Sequence, residues 1–322
     1  SSRFGKANRY GVFPAFSAGW VLSKEDFLSS SNVISLLKLR ASWGKTGNAE
    51  IGNFASRDLW NAASYKQLPA IEPAQPESPN LTWEKSSQTD IGLDFGVFNN
   101  RVSGEIDFYN KKTNGLLFYQ NIPYTSGYSN IYRNIGDMKN TGFEMVINTQ
   151  NIKKDNFTWD TNFNVAKNNN EITALPDDNR DQIIGNVIRR VGERLDSFYL
   201  VEYAGVDPNN GDALFYKNTL NPDGSLDKTK TNDYSEAQRI IAGSSTPDWI
   251  AGLTNTVEYK NFDFSFTFYG EFGGNLYNSG GKFMSTSASN GYDNQTVDQM
   301  NRWQNPGDIT NVPQARLGKG NG

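Results

Sequence analysis

Four carboxylates stand close together in this chain: Asp90, Asp94, Glu105 and Asp107. Two carboxylates held at a fixed separation are the machinery of glycoside hydrolysis. Here, however, they alternate with Gly and Ser and sit beside Arg101 and Ser103, which suits a wall that faces water. Asp207-Pro-Asn-Asn-Gly-Asp212 clusters oxygens on a tight turn, as calcium loops do. It lacks the spacing and the terminal bidentate Glu of an EF-hand, and Asp-Pro and Asn-Gly are ordinary turn formers, so Asp207 and Asp212 are weak metal candidates. Gly44-Lys-Thr46 matches the end of a phosphate-binding loop, but the motif needs a Gly where this chain has Leu39, and a loop follows instead of a helix. Trp60, Tyr65, Tyr119, Tyr124, Tyr128 and Tyr132 lie in loop-like stretches, where aromatic faces with nearby Asn and Asp could bind a sugar, a peptide or a covering partner. Loop tyrosines also serve simply to pack loops on each other.

Composition removes other chemistries. The 322 residues include no Cys and no His, which excludes disulfides, thiolate nucleophiles, zinc–thiolate sites and the Ser-His-Asp triad within this chain. The net charge of -4 gives no pull toward nucleic acid. The expectation is a non-enzyme without a cofactor. Hydrophobic residues make up 36% and aromatic residues 13%, a mixture that fits β-structure with polar loops and argues against disorder.

The elements that position these residues follow from a period of two. In residues 82–113, Ile91, Leu93, Phe95 and Val97 alternate with Asp90, Gly92, Asp94 and Gly96. After the turn Phe98-Asn-Asn-Arg101, Val102, Gly104, Ile106 and Phe108 alternate with Arg101, Ser103, Glu105 and Asp107. One face is apolar and the other polar, and paired Asn residues tolerate the positive φ of a short hairpin turn. Further hairpins are expected at 142–168, turning at Lys153-Lys-Asp-Asn156, and at 249–270, where Phe262, Phe264, Phe266 and Phe268 alternate most cleanly. Strands are also expected over 9–22, where Pro14 marks a bulge or edge, and from Leu37 to Trp43. Ser23-Lys-Glu-Asp26 has the form of a capping box opening a helical turn, and a short helix is expected near 297–303.

That makes eight strands, with short turns alternating with long connections at 44–81, 114–137 and 169–247. The strands reach the roughly 9–11 residues that a tilted strand needs to cross a bilayer, and no run approaches the roughly 18 apolar residues of a membrane helix. Phe98, Trp159, Tyr259 and Phe262 gather beside the short turns, while Trp43, Trp83, Tyr109 and Tyr269 lie toward the opposite ends. Alternation alone also fits a large soluble β-sandwich or propeller. Strand length, loop asymmetry and end-placed aromatics favour an all-β, antiparallel transmembrane β-barrel with long extracellular loops. In that reading Ile91, Leu93, Phe95, Ile106, Phe108, Phe264, Phe266 and Phe268 face lipid. A soluble β-rich binding or glycan-processing module, or a structural barrel of an outer-membrane assembly, are the rival functions.

Several segments carry a family resemblance. Ser1-Ser-Arg-Phe-Gly5, Asn8-Arg-Tyr-Gly-Val-Phe-Pro14, Ser17-Ala-Gly-Trp20 and Leu37-Lys-Leu-Arg-Ala-Ser-Trp-Gly-Lys-Thr-Gly-Asn48 resemble the barrel of SusC/RagA-type TonB-linked outer-membrane transporters of Bacteroidota. So do Leu81-Thr-Trp-Glu-Lys85, Asp107-Phe-Tyr-Asn-Lys111, Asn140-Thr-Gly-Phe-Glu144, Ala204-Gly-Val-Asp-Pro208 and Arg302-Trp303 before Pro306-Gly-Asp-Ile309, in the family's order. The resemblance implies a plugged barrel of about 22 strands in the bacterial outer membrane. It also implies import of glycans, peptides or similar large nutrients, a SusD-like surface lipoprotein as lid, energy through TonB, and contact with membrane lipid and lipopolysaccharide. The whole of 1–322 then reads as part of one barrel domain, a mid-to-late segment without the plug, the TonB-contacting segment or the final closing strands.

Overall fold

A computed structural model describes residues 2–286 and 294–317. Eight long strands form one antiparallel sheet whose spatial order follows chain order. They are β1 (Ala15–Val21), β2 (Ile34–Asn48), β3 (Glu84–Val97), β4 (Val102–Asn114), β5 (Asp137–Lys154), β6 (Phe157–Ala174), β7 (Trp249–Tyr259) and β8 (Phe262–Phe272). The three expected hairpins are β3–β4, β5–β6 and β7–β8.

Register is continuous across the sheet. Leu37, Phe95, Gly104, Ile147, Phe163, Leu253 and Phe268 stand side by side on seven successive strands. The next row on the same face runs Trp20, Leu39, Leu93, Ile106, Met145, Val165 and Ala251. This apolar face is uncovered: Phe264, Phe266 and Phe268 are 63%, 39% and 66% exposed, so no second sheet packs on them to make a dry interior. Among the described residues the buried clusters are small, such as Phe4, Ala55 and Leu81 beneath the loops, with Ile51, Trp83, Leu117 and Tyr132 around them.

The strands differ from the sequence reading at their ends. β1 begins at Ala15 and leaves Tyr10 and Val12 exposed outside it. Pro14 has no N–H to give the ladder, though its carbonyl accepts from Lys45 N at 2.8 Å. β5 and β6 extend beyond 142–168, to Asp137 and Ala174. Many of the added residues, such as Asn140, Thr141, Asn169 and Asn170, are polar whichever face they occupy and mask the alternation, although the Met138–Ile172 pair there is apolar and Ile172 is buried. The capping box does not form: a single 3-10 turn at Leu22–Lys24 has no side-chain cap, and Glu25 instead accepts from the Trp20 indole at 2.9 Å.

Two stretches read as loops hold hairpins of their own, Leu59–Tyr65 with Leu68–Gln75, and Leu117–Asn121 with Asn130–Asn134. Pro69 and Pro73 hid the first, because a two-stranded ribbon has free edges where a missing donor is tolerated. A second compact unit is built from Gln182–Ile188, Asp196–Thr246 and the described chain after Gly273. It packs Ala213, Phe215, Ala237 and Val201 together. Its two turn signals close as read, with Gly211 N donating to Asp207 O at 2.8 Å and Gly224 N to Asn221 O at 3.0 Å. The helix expected near 297–303 is a 3-10 turn, Val297–Asn301. The Gly-rich end of the chain at 318–322 lies outside the described residues.

The β3–β4 turn places Phe98, Asn99 and Asn100 at φ 54°, 56° and 59°. A β-branched residue at the middle position meets the left-handed penalty of about 1–2 kcal/mol, whereas Gly does not. Asn99→Val is expected to destabilise the full-length protein by about that amount and Asn99→Gly to leave it unchanged or better, read from urea unfolding in detergent by tryptophan fluorescence.

Candidate ligand-contact loops and polar face

The loop aromatics fall into joined and solitary groups. Asp58 joins two of them: Oδ2 accepts from Trp60 Nε1 at 3.1 Å and Oδ1 from the Tyr128 hydroxyl at 2.9 Å. The connections before and after β3–β4 are thereby tied through one carboxylate. Tyr119 and Tyr132 form an aromatic pair with ring centroids 4.6 Å apart, and Tyr132 rests against the Phe4, Ala55 and Leu81 cluster. Gln75 braces the neighbouring chain by donating to Ala55 O and Arg57 O, each at 2.9 Å. Tyr65 stands at its hairpin tip with the Lys66 ammonium 5.8 Å from its ring, and Tyr124 is 83% exposed. Trp60 with Tyr128, and Tyr119 with Tyr132, are thus brought together, while Tyr65 and Tyr124 stand apart from both pairs. Sequence reasoning missed Asp58, whose partner Tyr128 is 70 residues away and outside any local pattern.

The polar face of the sheet carries the four carboxylates. Arg40 donates from Nε to Asp94 Oδ1 at 2.6 Å and from Nη2 to Asp107 Oδ2 at 3.0 Å. Lys38 Nζ adds an ion pair to Asp94 at 3.2 Å. Asp90 accepts from Ser42 at 2.9 Å and from Gln88 at 2.7 Å. Arg40 crosses β3 to reach Asp107 because Gly92 lies between them; a Cβ there would sit 2.2 Å from Asp107 Oδ1 and 2.9 Å from Arg40 Cζ. Asp90, Asp94 and Asp107 are thus held by cations, a hydroxyl and an amide, while Glu105 is exposed and lies 3.7 Å from Arg40. Toward β6–β8 the face becomes largely uncharged, with Asn162 donating to Asn148 at 2.6 Å and Thr254 bonded to Thr267 at 2.9 Å. An open cleft there is lined by Ser103, Asn148, Gln150, Asp160, Asn162 and Thr254.

The remaining candidates take structural roles. Gly44, Lys45 and Thr46 lie within β2, paired with Gln88, Ser87 and Ser86, and so form an extended strand and not a phosphate-binding loop. In the second unit, Asp207 Oδ1 caps its own turn through Asn209 N at 2.9 Å. Asp212 accepts from Asn232 at 2.8 Å and Asn210 at 3.1 Å, and pairs with Arg316 at 2.5 Å. Burial opposes its charge, but Asn232, Arg316 and Asn210 overcome that and hold the carboxyl below the usual range. Among the described residues no group of three or more acidic or His/Cys side chains is arranged to hold a metal.

An up-and-down antiparallel sheet with one uncovered apolar face, a hydrogen-bonded polar face and long structured loops on one side defines a section of an outer-membrane β-barrel. The comparisons give its family. The family model described as TonB dependent receptor-like, beta-barrel matches residues 1–191. TonB-dependent receptor P3 of Formosa agariphila is 35% identical over 97% of this chain and 33% of its own length. TonB-dependent receptor SusC of Bacteroides thetaiotaomicron is 37% identical over 83% of this chain and 28% of its own. The structure of the RagAB peptide transporter superposes with a TM-score of 0.90 at 31% identity, over 99% of this chain and 35% of that one. The chain belongs to the TonB-dependent receptor β-barrel family, of the SusC/RagA type, and to the bacterial outer membrane. It spans about a third of the length of the relatives it matches.

The bond to Asp58 holds the Tyr128 phenol above its usual pKa. A raised folded-state value means that the contribution is complete below about pH 10, the ordinary phenol value, and is lost as pH rises through the raised one. Asp58→Ala is expected to speed amide exchange in both loop hairpins at neutral pH, and wild type is expected to approach that behaviour only in strong alkali. Equal exchange in the two proteins at pH 7 would show that the bridge does not hold the loops.

Proposed function

We propose that this chain is the wall section of an energised outer-membrane importer for large nutrients, glycans or peptides, and that it performs no catalysis of its own. The observation that carries the reading is the split of one continuous sheet into an exposed apolar face and a hydrogen-bonded polar face. Ile91, Leu93, Phe95, Ile106 and Phe108 on β3–β4, with Phe264, Phe266 and Phe268 on β8, meet hydrocarbon. The Arg40 network and the Asn/Thr rows line the lumen. β8 is 11 residues long. At about 3.4 Å per residue and a tilt of about 45°, such a strand climbs about 25 Å, the height of an outer-membrane apolar band.

The edges β1 and β8 each have one partner among the described residues. Hydrocarbon does not tolerate unpaired edges, so further strands of the full-length protein continue the sheet. Eight strands in about a third of the relatives' length is the proportion expected for about 22 in all. The 1–322 stretch then contributes wall and loops, while a plug elsewhere in the protein gates the lumen and couples it to TonB. A SusD-like lipoprotein covers the long-loop side, where Trp60, Tyr65, Tyr119, Tyr124, Tyr128 and Tyr132 present aromatic faces to substrate or lid.

Uptake by cells carrying the full-length receptor tests the reading. Trp60→Ala with Tyr124→Ala is expected to lower import of the cognate oligomer several-fold at unchanged membrane abundance, and uncoupling the proton gradient to abolish it. Facing is tested separately. Phe266→Arg is expected to cost assembly about 2–4 kcal/mol near the midplane, whereas Thr267→Arg on the wet face is tolerated. Equal membrane assembly of the two would remove the proposed orientation.

A further inference from the structure

Beyond the apolar band, toward the long loops, the same face of the sheet changes character. The row containing Trp43 continues through Thr89, Asn110 and Thr141, all uncharged. The next row runs Lys45, Ser87, Lys112, Lys139 and Glu171. Lys85 lies two residues farther along β3 from Ser87, on the same face. Lys112 and Lys139 are direct cross-strand partners. Like charges opposite each other weaken strand pairing. Neither makes an ion pair with another described residue, and the one acid in their row, Glu171, makes none with Lys139. Lys45, Lys85 and Lys112 are exposed, and Lys45 leans over the Trp43 ring at 5.8 Å. Cationic side chains just outside an aromatic girdle sit at headgroup depth.

We propose that this rim, centred on Lys112 and Lys139 and flanked by Lys45 and Lys85, binds the phosphate of an anionic outer-leaflet lipid. One phosphate between the paired ammonium groups converts a repulsive cross-strand contact into two charge-assisted hydrogen bonds. The surrounding residues supply what a lipid needs and a soluble anion does not: a row of hydroxyls and amides for the headgroup, then Phe108, Ile91 and Phe143 for the chains below. The inference rests on the apolar face meeting hydrocarbon, as proposed above. That premise fails visibly and separately if Phe266→Arg assembles as well as Thr267→Arg.

The test uses the full-length receptor in nanodiscs of phosphatidylcholine alone, or with a minor fraction of phosphorylated or dephosphorylated lipid A, reading the thermal unfolding midpoint. Wild type is expected to shift upward with phosphorylated lipid A and little with the dephosphorylated form. Free inorganic phosphate should leave the midpoint unmoved, which separates lipid from soluble anion. The K112Q/K139Q double variant should lose at least half of the lipid A shift, while in phosphatidylcholine alone it should unfold at or above the wild-type midpoint, because the repulsion is gone. K112R/K139R should keep the shift, and K153Q/K154Q, at the short-turn end, should behave as wild type. The proposal is overturned if both forms of lipid A act alike on wild type, if free phosphate reproduces the shift, or if the double variant responds as fully as wild type.

Discussion

A strand that crosses hydrocarbon can leave no backbone N–H or C=O unpaired, and it can slip by no single residue without turning its apolar row inward. That constraint governs the eight-stranded sheet, and the chain answers it with local devices that fix parity. The tight turn at Phe98, Asn99 and Asn100 locks β3 to β4. Between β4 and β5, the Tyr109 side chain lies over Gly142, where a Cβ would come 2.3 Å from the hydroxyl oxygen. The same hydroxyl donates to Asn168 Oδ1 on β6 at 3.0 Å, so one side chain spans three strands. The register shifts only toward strand ends: between Ile34 and Leu36 and between Trp159 and Asp160 near the short turns, where Asn151 donates to Thr161 at 2.7 Å, and between Ile172 and Ala174 near the long connection.

The polar face shows what charge can do in a barrel wall. Partly exposed ion pairs contribute about 0–1 kcal/mol each, so the Lys38, Arg40, Asp94 and Asp107 set is a weak source of stability. Its geometry does more than its energy. Arg40 reaches carboxylates on two different strands, which satisfies three charged groups at once and ties β2 to β4 over Gly92. The carboxylates that resembled a glycosidase pair are therefore pinned to the sheet, and the polar face beyond them carries amides and hydroxyls bonded to one another, such as Asn162 with Asn148 and Thr254 with Thr267.

The strands were legible because burial on one face only imposes a period of two, and that signal survives in a single sequence at Phe262 to Phe268. It fails where polar residues occupy both faces: the outer ends of β5 and β6 carry Asn, Thr and Lys on either side, and they are held by the backbone ladder and by amide contacts such as Asn170 donating to Asn140 at 2.9 Å. The loop hairpins were hidden for a different reason. Their prolines argue against a central strand, and the sequence does not say that a ribbon of two has only edges. Of the loop aromatics, composition picked out the residues but not their grouping, since Asp58 reaches Tyr128 through tertiary structure alone. The row of Lys45, Lys112 and Lys139 was equally invisible, because three separated lysines become a row only when the register is known.

The loops are anchored so that their tips can change without disturbing the sheet. Phe4, Leu81 and Ala55 form a small dry anchor at the base of the first long connection, and Trp83 packs its ring 5.1 Å from Phe4 where β3 begins. Asn134 fastens the second connection to the same place, accepting from Thr82 N at 2.7 Å and donating to Thr82 O at 2.8 Å. Both loop hairpins are thus rooted at one point beside β3 and joined again above it by Asp58. Residues at the tips, Tyr65 and Tyr124 among them, take no part in either tie. Substitution at Leu81 or Asn134 would instead release both hairpins together, so variation is expected to accumulate at the tips and to spare the root.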